Sequence, residues 1–520
     1  MSKMLSLLKK MTGVSSAIFL SRILGFIREV LTAQFLGAGV LASAWQFAFM
    51  VPNLARRVFG EGLLVQVLVP VLAQSMEKEG KERAREKFSC IFFYLTLILA
   101  GLTLLMAGLA LVLRPFVPEG SHWELALLLL PLVMPYCIFI CLVGIMSSFL
   151  NTLKSFVLPA LISLLLNIFM IGCFLFCFPR INDPFDMLEA LGYSVILAGA
   201  LELVLMLFLL KRKGVFPRWN RKSLKDFPTL KEIWRLILPG LAGACGYEIS
   251  VLCDRNMAML AGPHALPALT YSERLAYLPV GVIAVAFGTV ALPEMARHFA
   301  RESWEELREL LVKTLHILLY ITIPLAFFIL LFREEIVRIC FMRGRFTLAD
   351  SIVTARVLLI YAAGIPAFCT VKLLVNFFLA QKDTRTPMYV SLFCIGVNIT
   401  LNIILLKPMG ELGLALATTV SAYLNNILLL VMIRRKSPVR LGKDLAFYSG
   451  KVLQMTFFPA VVTVIFLSWY FPGDGKGELI PDLIRLASGM VIFGVFYLFS
   501  SLLFSRKELR GVLQKLLRRF

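Results

Sequence analysis

Residues 88–113 read FSCIFFYLTLILAGLTLLMAGLALVL, a run without a single charged side chain. A helix of about 20 apolar residues crosses the hydrocarbon core of a bilayer, so this run is long enough to span a membrane. The whole chain of 520 residues is similar in character, with 59% hydrophobic and 16% charged residues and a mean hydropathy of +0.84. Soluble domains carry about 45–50% apolar and about 25% charged residues, so the sequence predicts an all-α polytopic membrane protein.

Runs of this kind recur along the chain and predict fourteen transmembrane helices. The segments that connect them are short, and the longest surrounds residues 211–231. They leave no room for a soluble catalytic domain. The fourteen runs fall at about 14–37, 41–74, 88–113, 123–150, 155–178, 188–210, 232–260, 266–296, 309–332, 350–380, 388–406, 410–433, 446–470 and 481–505.

The net charge of +21 is explained by the distribution of basic residues on one side of the membrane, not by binding to nucleic acid. With a cytoplasmic N-terminus, the predicted inner segments hold 34 Lys and Arg residues and the outer loops hold 8. Basic residues are retained on the cytoplasmic side of membrane proteins. The charge pattern therefore predicts an even number of spans with both termini in the cytoplasm, and no nucleic acid is expected as a partner.

The two halves of the chain share a faint internal repeat. Pro52 precedes Pro279 by 227 residues and Pro159 precedes Pro387 by 228, while Arg28 precedes Arg255 by 227. Such an offset contains six spans, so it predicts two pseudo-symmetric six-helix lobes that form parallel repeats, with the substrate between them. The predicted division is an N-lobe at 1–210, a basic cytoplasmic linker at 211–231, a C-lobe at 232–435, and two further helices with a basic tail at 436–520.

Charged residues occur inside the first two spans of each repeat. A central arginine costs about 2.5–3.5 kcal/mol on insertion scales, so these side chains should face water, partners or substrate. Arginine suits bidentate recognition of phosphate and stays ionised in a partly dry site, which predicts a cationic cavity for an anion such as a pyrophosphate. The set comprises Arg22, Arg28, Arg56, Arg57, Arg255 and Arg274, with Glu29, Glu61, Asp254 and Glu273 as their acidic counterparts.

A purely structural role for these charges is the alternative. Arg22 and Glu29 are seven residues apart on one helical face and could neutralise each other. Arg56 or Arg57 could also lie near the inner surface and extend its charge to the lipid head groups. Four scattered histidines lack metal-ligand spacing, and no nucleophile and base stand together, so an enzyme is not predicted.

Several motifs closely resemble the MurJ/MviN family of bacterial lipid II flippases, which belongs to the MOP transporter superfamily. The motifs are S-R-I-L-G-F-I-R-E (21–29), G-A-G (37–39), P-N-L-A-R-R-V-F-G-E-G (52–62), Y-S-E-R-L-A-Y-L-P-V-G-V (271–282), G-R-F-T (344–347) and T-P (386–387). The resemblance covers nearly the whole chain.

The resemblance implies a fold, a cargo and a site. It implies fourteen helices as two lobes plus two extra helices that form a groove for the lipid tail. Arginines at the positions of Arg22, Arg28, Arg56 and Arg274 would line the cavity, and Glu29, Glu61 and Glu273 would serve gating or ion pairing. Some members bind sodium at places that correspond to Asp254, Asn398, Asn402 and Thr418, although Asn402 replaces an expected carboxylate. Ser43 and Tyr277 are further departures from the family pattern.

The resulting interpretation is a flippase of the bacterial cytoplasmic membrane. It would carry lipid II, an undecaprenyl-pyrophosphate-linked disaccharide-pentapeptide, from the inner to the outer leaflet by alternating access. Sodium or the membrane potential is the candidate energy source, and no other cofactor is expected. The expected partners are lipid II, membrane lipids and cell-wall synthesis proteins, with the chain as a monomer. The alternatives are an exporter of another polyprenyl-linked sugar and a multidrug or cation antiporter, whose pocket should instead be acidic and aromatic.

Overall fold

The computed structural model describes residues 2–60, 63–218, 231, 248–471 and 478–504. All regular structure within these residues is helical, and no strand occurs among them. Ten of the described helices are long and apolar enough to cross a membrane. They are Lys81–Phe116, Pro135–Thr152, Val157–Arg180, Pro184–Arg212, Trp304–Leu331, Leu348–Ala380, Arg385–Met409, Glu411–Lys436, Leu445–Tyr470 and Leu479–Phe504.

The other four predicted spans are those with the embedded charges. They are 14–37, 41–74, 232–260 and 266–296, the first two of each repeat, and most of 232–260 lies outside the described residues. Charged side chains lower the hydropathy of such segments, and each would be costly against lipid. The helices with embedded charges therefore differ in composition from the ten apolar ones.

The chain divides into two compact units, Met1–Arg255 and Asn256–Phe520. Helix α10, described over 248–261, contains the boundary. The first unit otherwise contains α1 (Ser2–Leu36), α2 (Val40–Ala55), α3 (Leu63–Lys78), α4 (Lys81–Leu113), α5 (His122–Val133), α6 (Pro135–Thr152), α7 (Val157–Ile162), α8 (Leu165–Gly172) and α9 (Pro184–Arg212). The second contains α11 (Ala265–Ala300), α12 (Trp304–Leu331), α13 (Arg333–Phe341), α14 (Leu348–Ala380), α15 (Arg385–Met409), α16 (Glu411–Lys436), α17 (Gly442–Tyr470) and α18 (Leu479–Phe504).

Three of the predicted spans are interrupted. The span 41–74 contains a π-helical turn, Arg56–Gly60, four residues after Pro52, which has no N–H to donate. The span 155–178 contains α7, α8 and a second π-helical turn, Cys173–Cys177. Helices α7 and α8 are separated at Ser163, whose hydroxyl donates to Ala160 O at 2.8 Å. Bonds of this kind compete with the helix backbone and bend it. The span 123–150 is divided into α5 and α6. Met134, the one residue between these helices, keeps helical backbone angles.

Glycines allow close approach of helices inside each unit. A side chain at Gly144 of α6 would overlap the backbone of Gly60 in the π-helical turn. One at Gly199 of α9 would lie 2.7 Å from the Tyr136 ring. Small residues at such crossings let helix backbones pack closely within a membrane. The π-helical turn, α6 and α9 therefore form one tightly packed layer of the first unit.

The same turn ends α6 and α14. Lys154 has φ +60° and Lys382 has φ +59°, the left-handed conformation, and these residues are 228 positions apart. The following N–H groups of Ser155 and Asp383 donate to Leu150 O and Phe378 O, both at 3.0 Å. The two units thus share a helix-ending turn, and its spacing of 228 residues equals that of Pro159 and Pro387, which follow it.

The last two helices, α17 and α18, are fixed to α12 and α13 in the second unit. Tyr497 donates its hydroxyl hydrogen to Tyr320 O at 2.8 Å. Arg338 of α13 donates to both carboxylate oxygens of Asp482, at 2.9 and 3.0 Å. Helix α18 is therefore joined to α12 by a hydrogen bond and to α13 by a buried ion pair.

Candidate functional site

Arg28 and Glu29 lie on α1 where this helix packs against α8. Arg28 donates from Nη1 to Asn167 Oδ1 at 3.1 Å and from Nη2 to Glu29 Oε1 at 2.9 Å. The side chains of Arg28 and Glu29 are 14% and 10% exposed. Arg22, on the same helix, is exposed and forms no hydrogen bond or ion pair with the described residues. The arginine paired with Glu29 is therefore Arg28, and the pairing with Arg22 that the spacing allowed is not present.

Arg56 and Arg57 begin the π-helical turn. Arg56 donates from Nε to Asn53 Oδ1 at 3.3 Å, and Asn53 donates in turn to Phe49 O at 2.8 Å. Arg57 forms an ion pair of 3.4 Å with Glu248 at the described start of α10. Short π-helical segments occur often at functional sites, because the wider turn redirects side chains. Here the wide turn presents two consecutive arginines.

Glu202 is a site residue that the sequence analysis missed. It lies on α9, is fully buried, and accepts the Leu166 N–H of α8 at 3.3 Å through Oε1. The signal was present in the sequence, since Glu202 is the only charged residue within 190–210.

The first turn of α8 connects these groups. Asn167 accepts from Arg28, and the neighbouring Leu166 donates to Glu202. The first turn of α8 thus brings Arg28 of α1 and Glu202 of α9, which are distant in sequence, to adjacent residues of one helix. Glu61, a predicted gating residue, lies outside the described residues.

The second unit contains the other predicted pair. Glu273 on α11 is half-buried and Arg274 is exposed, while the neighbouring Ser272 is buried and donates to Thr354 O at 2.7 Å. Tyr277, one of the departures from the family pattern, stacks on Phe368 at 5.0 Å between ring centroids. On α10, Asp254 and Arg255 are half-buried.

Lys372 is a further embedded cation that the sequence analysis did not select. It is exposed on α14 and lines a groove of about 410 Å³ between α14 and α11. In the same groove, Asn376 donates to Gly288 O at 3.3 Å. The other lining residues are apolar: Ala284, Leu292, Val371 and Val375.

Three of the residues suggested for sodium, Asn398, Asn402 and Thr418, lie on α15 and α16 of the second unit. Asn402 donates to Asn398 Oδ1 at 3.2 Å, and Thr418 donates to Leu414 O at 3.1 Å. These three residues supply neutral amide and hydroxyl oxygens, whereas protein sites for hard cations are built mainly on carboxylate and carbonyl oxygens. Within the described residues, no group of three or more His, Cys, Asp or Glu side chains could hold a metal.

Comparison with known proteins gives a consistent family. The profile described as "Lipid II flippase MurJ" matches residues 32–481. A "Probable lipid II flippase MurJ" of Rhizobium tropici is 32% identical over 443 residues, which cover 83% of this chain and 82% of that protein. The "Lipid II flippase MurJ" of Burkholderia cenocepacia is 28% identical over 439 residues, covering 83% of this chain and 84% of that protein.

Solved structures agree with the sequence relatives. A structure of "Lipid II flippase MurJ, inward closed conformation" covers 94% of this chain and 98% of its own, with a TM-score of 0.75 and 26% identity. An inward-facing multidrug resistance MATE transporter of the MOP superfamily has a TM-score of 0.65 at 14% identity, covering 80% of this chain and 94% of its own, and shares the fold alone. The chain belongs to the MurJ family of lipid II flippases, and it is a transporter of the bacterial inner membrane, crossing it several times, rather than an enzyme.

Proposed function

We propose that this chain moves lipid II from the inner to the outer leaflet of the cytoplasmic membrane. The observation that carries the proposal is the set of arginines inside predicted membrane spans, in a chain that belongs to the MurJ family. Arg28 donates to the Asn167 amide and to Glu29, Arg56 donates to the Asn53 amide, and exposed Arg22 has no partner among the described residues. The six embedded arginines outnumber the four embedded carboxylates Glu29, Glu61, Asp254 and Glu273, so positive charge remains for an anion.

Pyrophosphate is the part of lipid II that these arginines recognise. Its oxygens match the paired N–H donors of a guanidinium group, which a lysine cannot reproduce. In this proposal Arg22 captures the head group, and Arg28 and Arg56 hold it. The supporting cations are Arg57, Arg255 and Arg274, and the acidic residues Glu29, Glu61 and Glu273 act in gating or ion pairing.

Fourteen spans with both termini in the cytoplasm are the proposed topology. The ten apolar helices and the excess of basic residues in the inner segments support it. The four spans with embedded charges complete the count. The lobes remain the proposed divisions 1–210 and 232–435, joined by the linker 211–231 and followed by 436–520.

Alternating exposure of the head group to the two sides of the membrane is the proposed mechanism. Moving one elementary charge across 100 mV is worth about 2.3 kcal/mol, so an inside-negative potential favours outward movement of an anionic head group. Sodium binding at Asp254, Asn398, Asn402 and Thr418 stays a prediction, and the proposed mechanism does not depend on it.

The lipid tail remains in the membrane beside α17 and α18. These helices expose large apolar side chains along much of their length, including Phe457, Ile465, Val491 and Val495. Such surfaces are suited to acyl or polyprenyl chains, whereas the charged cargo stays with the arginines. The chain acts as a monomer in this proposal.

The rival cargoes predict different pockets. A cation exporter should hold its substrate with carboxylates and aromatic faces. The six embedded arginines counted in the sequence argue against it, and the MATE likeness supports the fold alone. Another polyprenyl-linked sugar would use the same arginines, so direct identification of the cargo is needed.

Accessibility of lipid II in the outer leaflet tests the proposal. In cells whose only copy of this chain can be switched off, labelled lipid II should leave the outer leaflet within one generation, before other envelope defects. Restoring the chain should restore the label, whereas a variant with Arg22→Ala should not. Continued outer-leaflet labelling after depletion would contradict the proposed cargo or direction.

A further inference from the structure

Lys372 is a charged residue inside a spanning helix to which the transport proposal gives no role. Eight residues of α14 follow it before the helix ends at Ala380, and seven of them are apolar. At 1.5 Å per residue, Lys372 lies about 12 Å before the end of the helix. An ionisable residue within such an apolar run is costly and points to a ligand or partner for its charge.

The side chain of Lys372 takes no part in holding the second unit together. It is exposed, whereas the following Leu373 and Leu374 are each 1% exposed and belong to the core. Lys372 forms no hydrogen bond or ion pair with any other residue that the structure describes. Its positive charge is therefore available for a ligand.

The groove between α11 and α14 places a second polar group beside this cation. Asn376, one helical turn after Lys372, lines the same groove and donates from Nδ2 to Gly288 O of α11 at 3.3 Å. A side chain at Gly288 would come within 2.9 Å of Asn376 Nδ2, so glycine permits this contact. An amide NH2 group has two hydrogens, and the second can be donated to a ligand. The groove thus offers a cation and an amide donor on one face of α14.

The lining of the groove suits the anionic end of a lipid. Apart from Lys372 and Asn376, the described residues that line it are apolar or glycine, and none of them is acidic. A cation and an amide donor recognise a phosphate group, whereas apolar walls favour a hydrocarbon chain. Lysine binds phosphate as a point charge on a flexible stem, so a single lysine needs no bidentate geometry. A soluble anion would gain nothing from the apolar walls.

We propose that Lys372 and Asn376 form a lipid-phosphate site in the second unit and that the pyrophosphate of lipid II occupies it. The identity of this occupant rests on the proposed function. In the proposed topology, α14 runs from the outer to the inner side of the membrane. The site therefore lies toward the cytoplasm, where lipid II is taken up.

Bulk phospholipid is the rival occupant. Its phosphate stays in the head-group layer, outside the hydrocarbon core of the bilayer. Lys372 is followed by an apolar stretch of about 12 Å, so its charge is set back from the end of α14. This position favours a lipid whose head group is drawn into the protein, as that of a transported lipid is.

Acylation of individual lysines tests occupancy of the site directly. The purified chain in phosphatidylcholine nanodiscs is treated with a water-soluble amine-reactive ester, and each lysine is followed by peptide mass spectrometry. Lys372 should react in the ligand-free protein, and lipid II should slow its reaction several-fold. Lys313, exposed on α12, is the control and should react equally with and without lipid II. A Lys372 that never reacts, or that reacts equally in the presence of lipid II, would overturn the proposal.

Phosphatidylglycerol, added in place of lipid II, distinguishes the two occupants. It carries a phosphate but is a bulk lipid, so it should protect Lys372 little. Equal protection by phosphatidylglycerol and lipid II would overturn lipid II as the occupant.

Affinity for lipid II in the same nanodiscs tests what the site contributes. Lys372→Gln should weaken binding by about tenfold, because a charged hydrogen bond is lost. Asn376→Leu should weaken it less, and Lys372→Arg, which keeps the charge, should bind nearly as wild type does. Lys313→Gln removes the same charge elsewhere and should leave the affinity unchanged. Wild-type affinity in Lys372→Gln would refute this site and leave the proposed cargo standing, whereas a wild-type chain that does not bind lipid II would refute both.

Discussion

Arginines in the two units are held in opposite ways. In the second unit, Arg338 is 6% exposed and donates to both oxygens of Asp482, which is 1% exposed. In the first unit, Arg28 divides its donors between the Asn167 amide and Glu29, and exposed Arg22 has no partner among the described residues. Arg338 lies among carboxylates, with Glu334 and Glu335 within 4.0 Å in addition to Asp482, whereas Arg28 has one carboxylate and one amide as partners.

This difference separates a structural arginine from a binding arginine. A buried bidentate ion pair fixes α13 to α18 and leaves no charge for a ligand. An amide holds an arginine side chain in place without neutralising its positive charge. Burial alone would not distinguish the two cases, because Arg28 and Arg338 are both largely buried.

Loss of transport should be the largest effect, and it should follow removal of Arg22 or Arg28 but not removal of Arg333. Arg28→Ala or Arg22→Ala removes a phosphate donor, so cells that depend on the variant should fail to display lipid II in the outer leaflet. The measurement is outer-leaflet labelling with protein abundance determined in parallel. Arg333→Ala, at a partly exposed pair with Glu334, is the control and should support normal labelling. Normal labelling in Arg22→Ala and Arg28→Ala would remove the distinction between the two sets.

Loss of stability should be confined to the second-unit pair. Arg338→Ala leaves the carboxylate of Asp482 buried without its partner, which should cost about 3–5 kcal/mol. Thermal unfolding in detergent, followed by size-exclusion fluorescence, should show this loss. The double variant Arg338→Ala with Asp482→Ala should recover part of it, because no charge remains stranded. An Arg338→Ala protein as stable as Arg333→Ala would show that the pair is not structural.

Converting one arrangement into the other should sharpen the comparison. Asn167→Asp would give Arg28 a second carboxylate partner beside Glu29, so that its donors would bind carboxylates alone, as those of Arg338 do. We expect lipid II affinity in nanodiscs to fall by about tenfold, equivalent to about 1.4 kcal/mol, with little change in thermal stability. Asn167→Gln, which remains neutral, is the control. Equal affinity in Asn167→Asp and wild type would mean that the charge of Arg28 does not matter.

The smallest effect should come from a pair outside the membrane spans. Burial alone would raise the pKa of Asp383, but hydrogen bonds from Thr386 and Lys436 lower this pKa to about 2. The ionised form is therefore favoured by folding, and this stability is present above about pH 4 and lost as pH falls toward 2. Asp383→Asn should lower stability at neutral pH by up to about 1 kcal/mol, because the pair is partly exposed. Unfolding curves of both proteins at pH 7 and pH 3 should converge at the lower pH; a constant difference would argue against the pair.

Much of the fold was predictable because membrane spans depend on composition. Residues 88–113 contain no charge, and α4 ends at Leu113, where the run ends. The interrupted spans were not predictable in detail. The break at Ser163 depends on a hydroxyl bond to Ala160 and on Glu202 accepting the Leu166 N–H from another helix. Such tertiary contacts leave no periodic signal in the sequence.

The candidate site was predictable in its residue types and less so in its partners. Embedded arginines such as Arg28 are visible as anomalies in apolar runs, but the amide of Asn167 lies 139 positions away. Glu202 could have been found, since it is an isolated charge in a long apolar run. It was missed because the search followed the first two helices of each repeat, whereas Glu202 lies on α9.

Binding of lipid II to the purified chain in nanodiscs tests the central claim most directly. The account predicts that wild type and Arg333→Ala bind lipid II with similar affinity and that binding is lost in Arg22→Ala and Arg28→Ala, while thermal stability changes little. Equal affinity in all four proteins would contradict it, because the first-unit arginines would then not hold the pyrophosphate.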